Sequence, residues 1–175
     1  SDGVALHEGS NFSMARDTGR DKNLARSVQE HSSTSSIGIA HTRWATHGAV
    51  TVSNTHPHIS HDCKFVMVHN GVIENFGTLK RFLASKGIKF SSETDSEVLC
   101  NLIAYHYSLL SEGEDRFVDA IRQALPQCRG AYGIAVLCLD YPDTMIGARR
   151  GSPLVVGLGD DANFIASDAS AFVGR

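Results

Sequence analysis

The order of apolar segments along this chain is the feature that most constrains its fold. Short strand-like segments come first, amphipathic helix-like segments occupy the middle, and further short apolar segments follow from Tyr132 onward. Strands do not alternate with helices, and no GxGxxG phosphate loop is present, which disfavours a parallel dinucleotide-binding sheet. The order therefore predicts a layered α+β domain whose sheets are mainly antiparallel.

Apolar spacing and turn residues predict the individual elements. The run from Glu8 to Asn11 separates two short segments in the manner of a hairpin, and Thr94 with Glu97 has the spacing of a helix capping box. Helices are predicted at 21–31, at 98–109, at 117–125 ending near Pro126, and with Val72, Phe76, Leu79 and Leu83 on one face ending at Gly87. Strands are predicted at 3–7, 12–16, 37–40, 63–69, 132–139, 144–148, 154–158 and 164–166.

Length and composition narrow the class of protein. A chain of 175 residues fits one domain with a sizeable core. Its net charge of -3, with no block of Lys or Arg, argues against a nucleic-acid partner or an anionic membrane surface. No apolar run approaches the roughly 20 residues that cross a bilayer. Four cysteines without a CxxC pair indicate reduced thiols, with Cys100 and Cys138 in the core, and a cytoplasmic protein.

The first polar cluster, residues 41–48, combines an Arg, a Trp, two His and two Thr. The planar fork of Arg43 suits a carboxylate, and Trp44 offers a rigid apolar wall with one N–H donor. These are the groups that a small amino-acid ligand requires. On composition alone, a surface loop with a cation–π pair is the alternative.

The second and third clusters follow a predicted strand and precede the long helix. The side chain of Asn70 and the N–H of Gly71 can point at one oxygen, as in an oxyanion hole, while a strand-terminating turn is the alternative. Asp95 can bind an ammonium group, or it can cap the helix and complement its dipole.

A fourth cluster contains His56, His58, His61, Asp62 and Cys63. Imidazole and thiolate are good metal ligands, but this spacing is not that of a known zinc site. Polar loop histidines are therefore expected, and no metal is expected to bind.

Taken together, these segments resemble one family. The string at 41–48 followed by that at 69–75 is highly specific, and the resemblance covers nearly all of the chain. The chain is similar to the glutaminase domain of the glutamine–fructose-6-phosphate aminotransferases (isomerizing), which are class II glutamine amidotransferases. The matching segments are 41–48 (HTRWATHG), 69–75 (HNGVIEN), 92–95 (SETD), 129–133 (RGAYG), 151–154 (GSPL) and 164–168 (FIASD).

The resemblance implies a fold and a set of roles. The fold would be a four-layer αββα sandwich of the N-terminal-nucleophile hydrolase type. Arg43 would hold the α-carboxylate of L-glutamine and Asp95 its α-ammonium. Asn70 and the backbone N–H of Gly71 would form the oxyanion hole, with Gly71 also contacting the substrate. The residues expected to shape the pocket are Trp44, Thr46 and His47.

The resemblance also implies a reaction. In the family, an N-terminal cysteine attacks the side-chain amide of glutamine, its own α-amino group serves as the base, and glutamate and ammonia are released. The ammonia would aminate fructose 6-phosphate in a sugar-phosphate isomerase domain, giving glucosamine 6-phosphate. No cofactor is expected, and the parent protein is expected to be a homo-oligomer through that second domain.

This chain departs from the family pattern at its start. The first cysteine is Cys63, which matches no catalytic position. Residues 1–175 are therefore expected to be a glutaminase domain that is incomplete at its N-terminus and inactive alone, without the isomerase domain. Two alternatives remain open: a non-catalytic glutamine-binding regulatory module, and a metal-dependent hydrolase that uses His56, His58 and His61.

Overall fold

A computed structural model describes residues 1–18, 35–42 and 51–172 of the chain. The elements run strand, helix, strand, as the sequence predicts. The strands are β1 (Asp2–His7), β2 (Phe12–Asp17), β3 (Gly38–Thr42), β4 (His58–Ile59), β5 (Phe65–Ile73), β6 (Gly130–Cys138), β7 (Met145–Arg150), β8 (Val155–Leu158) and β9 (Asn163–Ala166). The helices are α1 (Phe76–Ser85), α2 (Asp95–Leu109) and α3 (Arg116–Ala124), with 3-10 turns at Leu125–Gln127 and Ala169–Phe172.

The described strands form three antiparallel sheets. The first has the order β2-β1-β3, the second β4-β5-β6-β7, and the third pairs β8 with β9. The longest ladder joins β5 to β6, from Phe65 opposite Cys138 to Ile73 opposite Gly130. These pairings confirm the prediction of an α+β fold with mainly antiparallel sheet.

The second sheet is buried on both faces, because alternate residues of a strand point to opposite sides. Phe65 and Met67 of β5 belong to the core cluster that α1, α2 and α3 complete. Val66, between them, packs instead with Ala5 of β1 and Ile39 of β3. The described residues therefore form three of the four expected layers, and the helix predicted at 21–31 lies outside them.

Strand β5 is longer than the sequence suggested. The predicted strand ended at His69, with Val72 already assigned to the following helix. Both assignments are wrong, since residues up to Ile73 pair with β6 and α1 begins at Phe76. The alternative of a turn at Asn70 and Gly71 is wrong for the same reason. Their ladder partners lie about sixty residues away in sequence, beyond the reach of a local pattern.

The start of α2 confirms half of the predicted capping box. Thr94 is the N-cap, and its side chain accepts a hydrogen bond from the backbone N–H of Glu97. The carboxylate of Glu97 does not return to Thr94. It accepts instead from the backbone N–H groups of Ser91 and Ser92, each at 2.7 Å. This exchange fixes the loop before α2 as well as the helix end.

The cysteines behave as predicted for a reduced core. Cys100 and Cys138 are buried and carry free thiols. Within the described residues, the helices are too short or too polar to cross a membrane.

Candidate functional site

A cavity of about 540 Å³ opens where the first sheet meets the second and third. Its floor comes from β5 and β6, and its sides come from β1 and β3 on one hand and β9 on the other. The polar residues that line it are Asp2, His41, Thr42, His69, Asn70 and Ser167. A concave site in which a few polar groups converge among apolar ones is the usual form of a small-molecule site.

Asn70, a predicted catalytic residue, lies on this wall. Oδ1 of its side chain is 2.7 Å from Nε2 of His41. Because a carbonyl oxygen only accepts, Nε2 of His41 is the donor. The amide nitrogen of Asn70, which only donates, is therefore at the opposite end of the group.

Gly71, the other predicted oxyanion residue, has a backbone that only glycine adopts readily. Its φ is +123°, and a Cβ added there would lie 2.2 Å from the carbonyl oxygen of Ala131. The residue is exposed at the surface of β5. Its side chain is excluded by conformation and by space, so only its backbone can contact a ligand.

Asp95 is buried at the first position of α2, with 5% of its surface exposed. Its Oδ2 accepts from the backbone N–H of Ile73 at 2.7 Å. Asp95 is thereby joined to the same strand as Asn70 and Gly71. In the described part of the chain, Asp95 and Gly71 are not among the lining residues of the cavity.

A buried polar network connects α2 with β5. The hydroxyl of Ser96 lies 2.8 Å from Nδ1 of His69 and 3.2 Å from Nε2 of His56. The backbone N–H of His69 donates to Nδ1 of His56 at 3.2 Å. The ring of His56 stacks on that of His41 at a centroid distance of 4.2 Å. Contacts therefore run continuously from the helix to the hydrogen-bond partner of Asn70.

Burial sets the charge of His69 in this network. Desolvation lowers the pKa of His69 below its ordinary value, and the nearby carboxylate of Asp95 opposes that shift only in part. His69 is consequently a neutral imidazole near pH 7, with one donor and one acceptor nitrogen.

The sequence analysis assigned no role to Ser96 and treated His56 as a possible metal ligand. No local signal identifies either residue as part of the network, because their partners are distant in sequence. The only sequence feature that points to the network is the position of His69, which directly precedes Asn70 in the family string.

The histidines of the metal alternative have protein partners. Nε2 of His58 lies 3.0 Å from the hydroxyl of Thr94, and Nδ1 of His61 lies 3.0 Å from Oδ1 of Asn101. Across residues 1–18, 35–42 and 51–172, no three His, Cys, Asp or Glu side chains are placed to hold a metal ion. The described geometry thus gives the metal-hydrolase alternative no support.

Four further residues are predicted to contact the substrate. Arg43, Trp44, Thr46 and His47 lie outside the described residues. Thr42, which directly precedes Arg43 in the chain, lines the cavity. The roles predicted for these four residues stay predictions.

Comparison with known proteins gives matches across most of the chain. The profile of a family described as "Glutamine amidotransferase domain" matches residues 41–174. The chain is 42% identical over 171 residues to the glutamine–fructose-6-phosphate aminotransferase (isomerizing) of Caldanaerobacter subterraneus subsp. tengcongensis, covering 98% of this chain and 27% of that protein. It is 48% identical over 158 residues to the protein of the same name from Salmonella typhi, covering 90% and 25%. The chain spans about a quarter of the length of these relatives.

Solved structures share the fold. The glutamine phosphoribosylpyrophosphate amidotransferase of B. subtilis, solved with ADP and GMP, superimposes with a TM-score of 0.76 at 26% identity, covering 98% of this chain and 36% of that one. This likeness confirms the expected N-terminal-nucleophile hydrolase type. Since the profile match spans well over half of the residues, this chain belongs to the glutamine amidotransferase domain family.

Proposed function

We propose that this chain binds L-glutamine and, in the longer parent enzyme, hydrolyses it to glutamate and ammonia. The observation that carries the proposal is Asn70 on the cavity wall, with its amide oxygen engaged by His41 and its amide nitrogen at the other end. Family membership supports the reaction class, and the activity named for the relatives supports the parent activity, conversion of fructose 6-phosphate with glutamine as the nitrogen source.

Charge development on the substrate explains why the reaction needs these donors. Attack of a thiolate on the glutamine side-chain amide turns its carbonyl oxygen into an oxyanion. The amide nitrogen of Asn70 and the backbone N–H of Gly71 are the proposed donors to that oxygen. One such donor commonly stabilises the transition state by about 3 kcal/mol. Collapse of the tetrahedral intermediate releases ammonia, and water then hydrolyses the glutamyl thioester.

The nucleophile in this proposal is the N-terminal cysteine of the family. The four cysteines of this chain do not include it, since Cys63 is the first and matches no catalytic position. Cys100, Cys128 and Cys138 are buried, and burial raises the pKa of each thiol, which disfavours the reactive thiolate. The activity is accordingly assigned to the parent enzyme.

The two ends of the amino acid require opposite charges. Arg43 is proposed to bind the α-carboxylate and Asp95 the α-ammonium, while Trp44, Thr46 and His47 shape the pocket. The position of Asp95 beside β5, two residues from Gly71 along the strand through Ile73, supports a site built around this strand.

Residues 1–175 are proposed to be the glutaminase domain of the parent enzyme. Its partner would be the sugar-phosphate isomerase domain that receives the ammonia and makes glucosamine 6-phosphate. A homo-oligomer through that second domain, in the cytoplasm, completes the proposal. The short coverage of the relatives, about a quarter of their length, supports a further domain in the parent.

The proposal is tested by glutamate release from glutamine in the parent enzyme. Asn70→Ala is expected to lower kcat by about 10²–10³-fold with little change in KM, because the donor acts mainly in the transition state. Asn163→Ala, at an exposed position of β9, is the matched control and should leave both constants unchanged. Glutamine binding without any release of ammonia by the parent would instead identify a non-catalytic regulatory module.

A further inference from the structure

We infer that His41 is a positioning residue that determines which end of the Asn70 amide faces the substrate. The inference deepens the proposed function and rests on it. It starts from the 2.7 Å contact between Nε2 of His41 and Oδ1 of Asn70. His41 belongs to β3 of the first sheet and Asn70 to β5 of the second, so this bond spans the two sheets at the cavity wall.

An asparagine side chain has two ends of opposite character. Only the NH₂ end stabilises an oxyanion, whereas the carbonyl end repels it. A neutral histidine likewise has two tautomers, with the proton on either Nε2 or Nδ1. With the proton on Nε2, His41 binds the carbonyl of Asn70 and leaves the NH₂ for the substrate. With the proton on Nδ1, Nε2 of His41 would bind the NH₂ and turn the carbonyl of Asn70 toward the oxyanion. The tautomer of His41 thus sets the function of Asn70.

The ring of His41 has a fixed support. It stacks on the ring of His56 at 4.2 Å with 20° between the planes. The backbone N–H of His69 donates to Nδ1 of His56, so a neutral His56 carries its proton on Nε2, which faces the hydroxyl of Ser96. His56 is buried, with 4% of its surface exposed. The support therefore consists of buried residues of the protein itself, and it orients the ring of His41 toward Asn70.

Substitutions of His41 can distinguish a positioning role from a purely structural one. His41 is half-buried rather than part of an apolar core cluster, so its replacement should leave the fold intact. A glutamine at this position places an amide NH₂ near the site of Nε2 and can donate to Asn70. A leucine of similar size cannot donate.

The first experiment measures glutaminase kcat and KM in the parent enzyme. His41→Leu is expected to lower kcat about tenfold or more with KM for glutamine unchanged, and His41→Gln to retain kcat within about threefold. In an Asn70→Ala background, His41→Leu should have no further effect, because the side chain through which His41 is proposed to act is absent. Equal activity of His41→Leu and the parent sequence, or an additive loss in the double variant, would overturn the inference.

The second experiment does not depend on activity. Long-range ¹H–¹⁵N NMR of the histidine-labelled parent enzyme, at about pH 8 where an ordinary histidine is neutral, reports which ring nitrogen of His41 carries the proton. The expected result is Nε2–H. A proton on Nδ1 with a bare Nε2 would refute the role of His41 even if the parent hydrolyses glutamine. Absence of ammonia release by the parent, with Nε2–H present, would count against the proposed function alone.

Discussion

Oδ2 of Asp95 accepts a hydrogen bond from the backbone N–H of Ile73 at 2.7 Å, which fixes the first residue of α2 to the end of β5. The sequence alone left two roles for Asp95, an ammonium ligand or the helix cap. The structure assigns the cap to Thr94. Asp95 therefore has a structural bond to a neighbouring strand, and one carboxylate group would serve both that bond and the proposed ammonium contact.

Asp95→Asn separates these two roles. The amide oxygen of asparagine can still accept from the N–H of Ile73, so the free energy of unfolding should fall by no more than about 1 kcal/mol. Removal of the charge should weaken glutamine binding by about 2 kcal/mol or more, roughly 30-fold in Kd. Urea unfolding and calorimetric titration of the parent enzyme with glutamine measure the two quantities.

Asp95→Ala is the matched comparison. It removes the acceptor as well as the charge and leaves the N–H of Ile73 buried without this partner, which should cost about 1–3 kcal/mol of stability. If Asp95→Asn binds glutamine as tightly as the unsubstituted protein, Asp95 has only the structural role.

The pKa of His69 predicts a loss of stability in mild acid. Burial lowers this pKa in the folded state, and the neighbouring His41 acts in the same direction while Asp95 opposes it. Below the unfolded value of about 6.5, the unfolded chain binds a proton that folded His69 does not. The free energy of unfolding should therefore be constant with respect to this group above about pH 7 and decrease as the pH falls toward 5.

The contribution of His69 to the slope of the unfolding free energy against pH cannot exceed about 1.4 kcal/mol per pH unit, which is the value for one proton. Urea unfolding of the chain between about pH 7 and pH 5 measures it. His69→Gln removes the titrating group and should flatten the profile, leaving the contribution of His106, whose pKa burial also lowers. An unchanged profile in His69→Gln would show that His69 is not the buried neutral group.

The sequence predicted the parts of this molecule that depend on local pattern. The helices α2 and α3, the N-cap Thr94 and the buried Cys100 follow from apolar spacing, capping chemistry and side-chain polarity. The position of Asn70 and Gly71 inside a strand did not follow, because an asparagine followed by glycine favours turns when considered locally and only pairing with β6 overrides that preference.

The histidine network could not be predicted from the sequence, for a different reason. His41, His56, His69 and Ser96 come from four separate segments, and their contacts are set by how β3, β5 and α2 pack together. An apolar periodicity identifies faces of elements, not which polar atoms meet between them. The string at 69–75 predicted a role for Asn70, but only the structure shows that His41 contacts its side chain.

Gly71→Ala is expected to damage the fold as well as the site. A Cβ at this position would lie 2.2 Å from the carbonyl oxygen of Ala131 in backbone that pairs with β5, and φ is +123°. Strain of this kind costs about 1–3 kcal/mol, and the steric overlap adds to it, so a loss above about 2 kcal/mol is expected in urea unfolding.

Substitutions at two other glycines distinguish the effect of backbone strain from that of steric overlap. Gly87 also has a positive φ, but no atom lies within 4 Å of an added Cβ, so Gly87→Ala should cost only about 1 kcal/mol of backbone strain. Gly113 has open space without a positive φ, and Gly113→Ala should be near neutral. If Gly71→Ala is no more destabilising than Gly87→Ala, the close approach of β6 to Gly71 is not rigid.

Arg43→Ala tests the other end of the proposed ligand. Arg43 lies outside the described residues, so the prediction depends on its place in the family string and on the chemistry of the guanidinium. Loss of a charged, paired hydrogen bond to the α-carboxylate should weaken glutamine binding by about 2–5 kcal/mol in the parent enzyme. Arg43→Lys keeps the charge but not the planar fork, and it should recover only part of that loss.

Titration with two ligands, glutamine and its α-amide, which lacks the carboxylate, makes the assignment specific. Arg43→Ala should discriminate little between the two ligands, whereas the unsubstituted enzyme should strongly prefer glutamine. An Arg43→Ala variant that keeps the full preference for the free carboxylate would place the carboxylate ligand elsewhere in the site.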